Sequence, residues 1–422
     1  MQKDSKDKSK VIPINVTSEK TSTQSTQREK VKKSIKPDYK KNLPAFIMGA
    51  VALLLVVYIG YTAYIESTRE LVYLEVDSVI YEFNPLRMEH VCVNEDQVVY
   101  ISEDGIVALD KRGNEVWSSI HSLDNIIVAQ TEPYLAIGAV GEKTITIYSD
   151  KGKRGEILLQ NPIVTFSINE NGTVAVIQQL ENGHLVSAYD SNGRFLEVSS
   201  GSFVSNGDYP VAATVSPDDS LIMISYLYVG GVEVASNVGA ISMNKPQTET
   251  YEPMLYGSIE ENNLVYDIQF IDNDTWVSIG DKYITFYDTD GTKLRRVSVS
   301  GVIFYPTADA APTIGGYLPI VTGNWTVGNT VHSNSKLTLM KQDTDITVDL
   351  DFDLQLKFFN SNSKGTIVGD GRNFKGYNKV GTQYFEYHAT QDVSQVLAAD
   401  GFYVAITSDS IVRLKTKSSE AD

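Results

Sequence analysis

The sequence predicts an all-β protein: a β-propeller of eight blades, with seven the alternative count, behind a single N-terminal transmembrane helix. Three observations predict it. A strand–turn–strand phrase built on Asp-x-x-Gly recurs at a spacing of roughly 40–49 residues. Asn-Gly and Asp-Gly pairs cut the repeats into short strands. An uncharged stretch from Leu43 to Ile65 separates a basic lead from an acidic remainder.

The charge asymmetry fixes the organisation of the chain. The 422 residues carry 36 Lys/Arg and 53 Asp/Glu, a formal net charge of −17. Residues 1–42 hold 12 of the basic and 5 of the acidic residues, which leaves 24 and 48 for the rest. A folded part so acidic is a poor partner for nucleic acid. Cys92 is the single cysteine, so an intramolecular disulfide framework and a multi-thiolate zinc site are both excluded.

The segment LPAFIMGAVALLLVVYIGYTAYI (43–65) has 23 residues and no charge. As a helix rising ~1.5 Å per residue it would cross a hydrocarbon layer of ~30 Å. It is too long, and its lead too extended, for a cleaved signal peptide. Lys30, Lys32, Lys33, Lys36, Lys40 and Lys41 precede it, whereas Glu66, Arg69 and Glu70 follow. The positive-inside rule then keeps the N-terminus cytoplasmic and exports residues 66–417. Tyr58, Tyr61 and Tyr64 would meet the outer interface. The pair Ala45 and Gly49 is one small-x-x-x-small spacing, a weak signal for dimerisation.

Residues 1–42 are rich in Lys, Ser, Thr and Gln, a composition that cannot bury enough apolar surface to offset its ordering entropy. They read as a disordered tether whose lysines set topology. The alternative is attraction to anionic lipid head groups, weakened by phosphate on Thr17, Thr21, Ser22, Thr23, Ser25 or Thr26. Residues 418–422 read as a disordered terminus.

Within 66–417 the repeated phrase appears as IVALDKRGNEVW (106–117), ITIYSDKGKRGEI (145–157), LVSAYDSNGRFLEV (185–198), ITFYDTDGTKLRRV (284–297) and FKGYNKVGTQYFEY (374–387). Its glycines are Gly113, Gly152, Gly193, Gly291 and Gly381. In the third unit Asn171-Gly172, Asn182-Gly183 and Asn192-Gly193 separate successive apolar runs, which marks an antiparallel meander. Four strands with their turns consume about 40–45 residues, a propeller blade. Blades are expected to begin near 87, 124, 163, 211, 264, 302, 353 and 393. After Asp392 only two or three strands remain, so VDSVIYEF (76–83) is expected to supply the missing one and close the ring.

The phrase VVYISEDGIVALDKRGNEVW (98–117) resembles a blade of the pyrroloquinoline-quinone-type and WD40-like propellers. Tyr189-Asp190 and Tyr287-Asp288 stand where WD40 repeats carry Trp-Asp, while the Gly-His that opens such repeats is missing. The whole layout resembles an uncharacterised family of membrane-anchored propeller proteins of Gram-positive bacteria. That resemblance implies a fold and a location, and no activity.

Candidate chemistry is sparse. The five histidines, His90, His121, His184, His332 and His388, are too widely spaced for a ready metal pair. No nucleophile elbow, His-Glu-x-x-His or P-loop occurs. GDGRNF (369–374) has Phe374 where a dinucleotide fingerprint needs its third glycine, and reads as a turn. In DTDITVDLDFDL (343–354), period-two alternation puts Asp343, Asp345, Asp349, Asp351 and Asp353 on one face of a strand. Asp349, Asp351 and Asp353 are therefore candidates for a Ca²⁺ or cationic-partner surface. The competing reading is a solvated outer strand whose charges prevent aggregation. The weakly patterned stretch from Thr307 to Asn329 reads as a long insertion, and its Tyr317 and Trp325 are candidate partner-binding residues.

The expectation is a non-enzymatic interaction scaffold or sensor at the cell envelope, bound to an envelope protein or wall polymer and needing no cofactor. The rival is an extracytoplasmic hydrolase-like enzyme acting on sugars or peptides at the central channel, where carboxylates or histidines from several blades would converge. A third reading, a eukaryotic type II membrane protein glycosylated at Asn171, Asn273 and Asn324, fits poorly with one cysteine.

Overall fold

Strands that are apolar on both faces need a neighbour on each side, and this chain supplies those neighbours in a circle. The structure, a computed structural model, describes residues 39–67, 70–203, 207–229, 235–244, 254–299, 302–304, 317–325, 332–342, 348–351, 356–362, 364–378 and 380–417. The chain divides into two units, Met1–Tyr61 and Thr62–Asp422.

The first unit contributes most of helix α1 (Tyr39–Ser67), within which the uncharged stretch 43–65 falls. Residues 47–61 are exposed along the whole helix surface. Among the described residues no helix is long and apolar enough to cross a membrane. The expected tether 1–42, up to residue 38, and the terminus 418–422 lie outside the described residues.

The second unit opens with strand β1 (Val72–Glu82) and then forms blade 1 from β2 (Met88–Asn94), β3 (Gln97–Ser102), β4 (Gly105–Leu109) and β5 (Glu115–Ile120). These pair antiparallel in chain order. Every residue of β3, the second strand, is buried, whereas β5 alternates with exposed positions, so the fourth strand is outermost. The same meander recurs in blades 2 (126–158), 3 (163–203), 4 (208–260), 5 (265–298), 6 (302–351) and 7 (358–388).

Blade 8 takes three strands from 395–416 and its fourth from β1, which runs antiparallel to Ser410–Thr416 in register from Leu74↔Thr416 to Glu82↔Ser410. The start of β1 also pairs in parallel with the outer strand of blade 7, Val72 opposite Phe385. Blades 7 and 8 thus share one eight-stranded sheet. Among the described residues the strand order gives eight four-stranded blades, with first strands beginning close to the positions expected from the sequence.

The core is a set of seams between blades. Alternate residues of β3 serve opposite neighbours: Val98 and Tyr100 pack with Leu397, Phe402 and Val404 of blade 8, and Val99 and Ile101 with Leu135 and Ile137 of blade 2. Equivalent clusters join each blade to the next around the ring. Each fully buried Val, Ile or Phe is worth roughly 1.5–3 kcal/mol relative to exposure, so the seams bind the toroid.

The repeated Asp-x-x-Gly phrase is the turn between third and fourth strands. In blade 1, Asp110 Oδ1 accepts the amides of Arg112 and Asn114 at 2.7 and 2.9 Å, and Gly113 takes φ 83°. Asp190 does the same for Asn192 and Arg194, and Asn378 for Val380 and Thr382. A carboxylate or amide oxygen here supplies the acceptor that exposed backbone amides lack. The string GDGRNF is likewise a turn, with Asp370 capping the amides of Arg372 and Asn373.

One sequence expectation is corrected. The stretch from Thr307 to Asn329 is not a continuous irregular insertion, because Leu318–Trp325 is the second strand of blade 6, paired with His332–Met340. Residues 305–316 and 326–331 lie outside the described residues.

Candidate functional site

Antiparallel meanders place their first and third turns at one end and their second turn at the other. The end that carries the first turns is acidic: Glu95 and Asp96 in blade 1, Glu132 in blade 2, Glu170 in blade 3, Asp218 and Asp219 in blade 4, Asp272 and Asp274 in blade 5, and Asp400 in blade 8. Among the described first turns only that of blade 7 offers a cation, Lys364, while the third turns at the same end carry Lys111 and Arg112 in blade 1 and Lys151 in blade 2.

Near the axis these turns meet. Lys364 Nζ lies 3.0 Å from Asp400 Oδ1 of blade 8 and 3.6 Å from Glu132 Oε1 of blade 2. Blades 7 and 2 are three steps apart on the ring, and only at the channel mouth do such blades touch. The contact is tied down by backbone bonds: the amide of Glu95 donates to Glu132 Oε1 at 3.2 Å, and that of Asp400 to the Glu95 carbonyl at 2.9 Å. Gln97 Nε2 reaches the Asp150 carbonyl at 2.8 Å, which brings the third turn of blade 2 to the same cluster.

Asp400 and Glu132 thus share the Lys364 ammonium, and both carboxylates, with Asp96 and Asp150, lie near enough to Glu95 for their charges to act on it. Burial, then the negative charges of Asp150, Glu132, Asp400 and Asp96, push the Glu95 carboxyl above its ordinary range. The arrangement is suited to hold positive charge. Among the described residues no group of three or more His, Cys, Asp or Glu is disposed to hold a metal ion.

A second buried charge cluster lies between blades 4 and 5. Glu260, closed off from solvent, accepts from the Tyr287 hydroxyl and pairs with Arg296 Nη2 at 3.2 Å and Lys293 Nζ at 3.6 Å. Burial and the adjacent Glu260 raise the Tyr287 phenol far above its ordinary value, so it remains a donor. This is an inter-blade clamp.

The residues singled out from sequence are scattered. Asp349 and Asp351 lie on the outer strand of blade 6, opposite Thr338 and Lys336 in register, and Asp353 lies outside the described residues. Tyr317 is half-buried against the seam between blades 6 and 7, with Lys341 Nζ 5.7 Å from its ring centre. Trp325 ends the strand that Tyr317 precedes, so the two stand at opposite ends of blade 6. The histidines do not converge: His121 Nε2 is 2.8 Å from the Ser102 carbonyl, His388 Nδ1 is 2.8 Å from Asn373 Oδ1, and His184 is edge-on to Tyr209. The Asn171 amide is engaged by Pro217 and Asp219.

Sequence reasoning missed the channel mouth. Its signal was available in the repeat register, since NEDQ (94–97), TEPY (131–134), NSKG (362–365) and ADGF (399–402) occupy the same first-turn position.

Among solved structures the chain is similar to BamB from Moraxella catarrhalis, at 11% identity and TM-score 0.49, covering 83% of this chain and 99% of that one. It is similar to Hsv2 of Kluyveromyces lactis at 11% identity and TM-score 0.43, covering 76% and 97%. It is also similar to the β-propeller domain of Cps50 (Swd1) from Myceliophteria thermophila at 10% identity and TM-score 0.44, covering 82% and 100%. No curated protein matches the chain. A family model matches residues 85–416, essentially the eight blades, and the chain belongs to that family of unknown function, DUF5711.

Proposed function

We propose that this β-propeller is a non-enzymatic protein-interaction scaffold or sensor, held at the cell envelope of a Gram-positive bacterium by a single-pass anchor over 43–65. The observation that carries the interaction reading is the acidic end of the ring, where turns from four blades meet in one charged cluster. A rigid closed ring presents such turns at fixed spacing, which lowers the ordering cost of binding. The field of that end favours a basic protein segment over an anionic wall polymer.

The anchor reading is supported by the uncharged run, by the basic lead that the positive-inside rule keeps cytoplasmic, and by the exposed apolar surface of residues 47–61. The tail would add attraction to anionic lipid head groups. Tyr317 and Trp325 remain proposed contacts at the two ends of blade 6. Asp349, Asp351 and Asp353 are kept as a secondary surface for Ca²⁺ or a cationic partner.

Crosslinking in intact cells, followed by capture of the full chain, tests the scaffold. One stoichiometric envelope protein is expected, and a monomer with no partner overturns it. Protease added to whole cells tests the location: digestion of residues 66–417 is expected, and their protection overturns the export.

A second reading is favoured by one observation. Carboxylates from three blades converge at the channel mouth, with Glu95 shifted upward, as a hydrolytic enzyme would require. Turnover of a glycan or peptide by the purified protein, lost in Glu95→Gln, would establish it in place of the scaffold.

A further inference from the structure

A lysine that crosses the mouth of a channel to reach two different blades is an unusual use of a long, flexible side chain. Lys364 pairs with Asp400 and Glu132 at 21% side-chain exposure, a geometry that restrains most of its rotamers. The pairing also leaves Glu95, Asp96 and Asp150 gathered at the same mouth with mutual repulsion.

A second observation is independent of the charges. Asn94, only 1% exposed, is wedged between the turns that carry Glu95 and Glu132. Its Nδ2 donates to the Pro133 carbonyl at 3.0 Å, but its Oδ1, equally enclosed, has no donor among the described residues. A buried acceptor without a donor is destabilising, and a bound donor would recover that loss. The Asp400 and Glu132 carboxylates, the neighbouring Glu95 and an orphan carbonyl are what an ammonium or guanidinium group needs, since each carries several N–H donors and a positive charge. A metal ion fits less well, because no described trio of carboxylates is close enough to chelate one.

From this geometry we infer that the channel mouth formed by blades 7, 8, 1 and 2 is a binding site for a lysine or arginine side chain of a partner protein, and that Lys364 is an internal stand-in which the partner displaces. The inference rests on the scaffold reading and names the chemistry of its partner. Lys364 neutralises Asp400 and Glu132 while the site is empty and competes with the incoming cation. Displaced, its side chain, 21% exposed, carries the ammonium outward into solvent.

The test uses the full chain in detergent micelles and a fluorescein-labelled decalysine peptide, followed by anisotropy at low and at physiological salt. The double variant Glu132→Gln with Asp400→Asn is expected to weaken binding about tenfold or more. Asp272→Asn with Asp274→Asn removes the same charge from the same end but away from the mouth, and is expected to change it less than about twofold. Lys364→Met is expected to tighten binding about fivefold, and Lys364→Arg to restore the wild-type affinity. Equal weakening by the two double variants would mean a diffuse field and overturn the site. So would a Lys364→Met protein that melts normally and binds no more tightly. Displacement of the peptide by Ca²⁺, beyond that by Mg²⁺ at equal concentration, would reassign the mouth to a metal and also overturn it. If the peptide fails while an envelope protein is still captured in cells, the mouth is wrong and the scaffold stands. Peptide binding without any captured partner is the converse.

Discussion

Gly193 in the last turn of blade 3 is pressed onto the carbonyl of Glu156 in the outer strand of blade 2: a Cβ built on it would sit 2.0 Å from that oxygen. The same docking recurs where Gly113 meets the Ile80 carbonyl on β1 and where Gly291 meets the Tyr256 ring of blade 4. The repeated glycine therefore does two things. It takes a positive φ in the turn, and it lets that turn abut the outer strand of the preceding blade.

These two roles separate experimentally. Gly401 has φ 83°, close to the 85° of Gly193, but nothing lies within 4 Å of its built Cβ. Gly401→Ala should destabilise by about 1 kcal/mol through the backbone alone. Gly193→Ala adds a clash with a backbone oxygen and should cost about 3 kcal/mol or more. Urea midpoints of the two variants decide this, and equal shifts would refute the docking role.

Glu260 gives the second prediction. Its partners Arg296 and Lys293 are 37% and 41% exposed, so solvent screens part of their attraction. Glu260→Gln keeps an acceptor for the Tyr287 hydroxyl and should cost about 1 kcal/mol. Glu260→Leu leaves that hydroxyl without its carboxylate acceptor in a buried seam, while the Asn263 amide keeps the Tyr283 carbonyl at 3.2 Å, and should cost about 3 kcal/mol. Thermal melting at low and high salt checks both, with the smaller loss shrinking further in salt.

How much was legible follows from these contacts. The period was readable because the glycines of the last turns are locally irreplaceable, and because Asn169, Asp110 and Asp190 cap the amides two and four residues ahead. β1 was assignable to the last blade because a ring with a missing strand leaves an edge. The strand Leu318–Trp325 was hidden by Pro319 and Gly323, which break its alternation, although Pro319 still registers opposite Leu339. The channel mouth was hidden for a different reason. Lys364 and Glu132 are far apart in the chain and meet only because the ring closes, so they emerge only when the first turns of separate repeats are aligned with one another.

Asp267, on the inner strand of blade 5, supplies a pH prediction. Burial raises its carboxyl from 3.8 to about 6, partly offset by bonds from the Gln269 side chain and the Ile268 amide. A carboxyl raised on folding is favourable when protonated: its contribution is full below pH 3.8 and is lost as the pH rises to about 6. Above that, the charged form weakens the fold by at most about 3 kcal/mol. Asp267→Asn should therefore raise the urea midpoint at pH 7.5 and leave it nearly unchanged at pH 3.5. Gln269 Oε1, which lacks a donor among the described residues, would accept from the new amide after its own amide turns over. A gain of equal size at both pH values would count against the shift.

Ring closure makes the last prediction. β1 is the outer strand of blade 8, yet its buried residues serve two seams: Leu74 packs with Phe385 and Leu414 between blades 7 and 8, and Ile80 with Val91 and Ile411 between blades 8 and 1. Arg413 strengthens the same joint, since its Nε donates to Asp77 Oδ2 of β1 at 2.7 Å and its Nη1 to the Lys111 carbonyl of blade 1 at 2.9 Å. Leu74→Ala and Ile80→Ala should each destabilise by about 2–4 kcal/mol, while Val79→Ala, at a position 53% exposed, should stay within about 0.5 kcal/mol. Because the two buried sites lie in separate seams, the double variant should be close to additive. Removing 72–82 goes further: blade 8 is left with three strands, the partners of Leu74 and Ile80 in both seams are uncovered, and the protein should bind a hydrophobic dye and self-associate. A deletion that stays monomeric and melts like the intact chain would mean that blades 1 and 8 hold together without the strand.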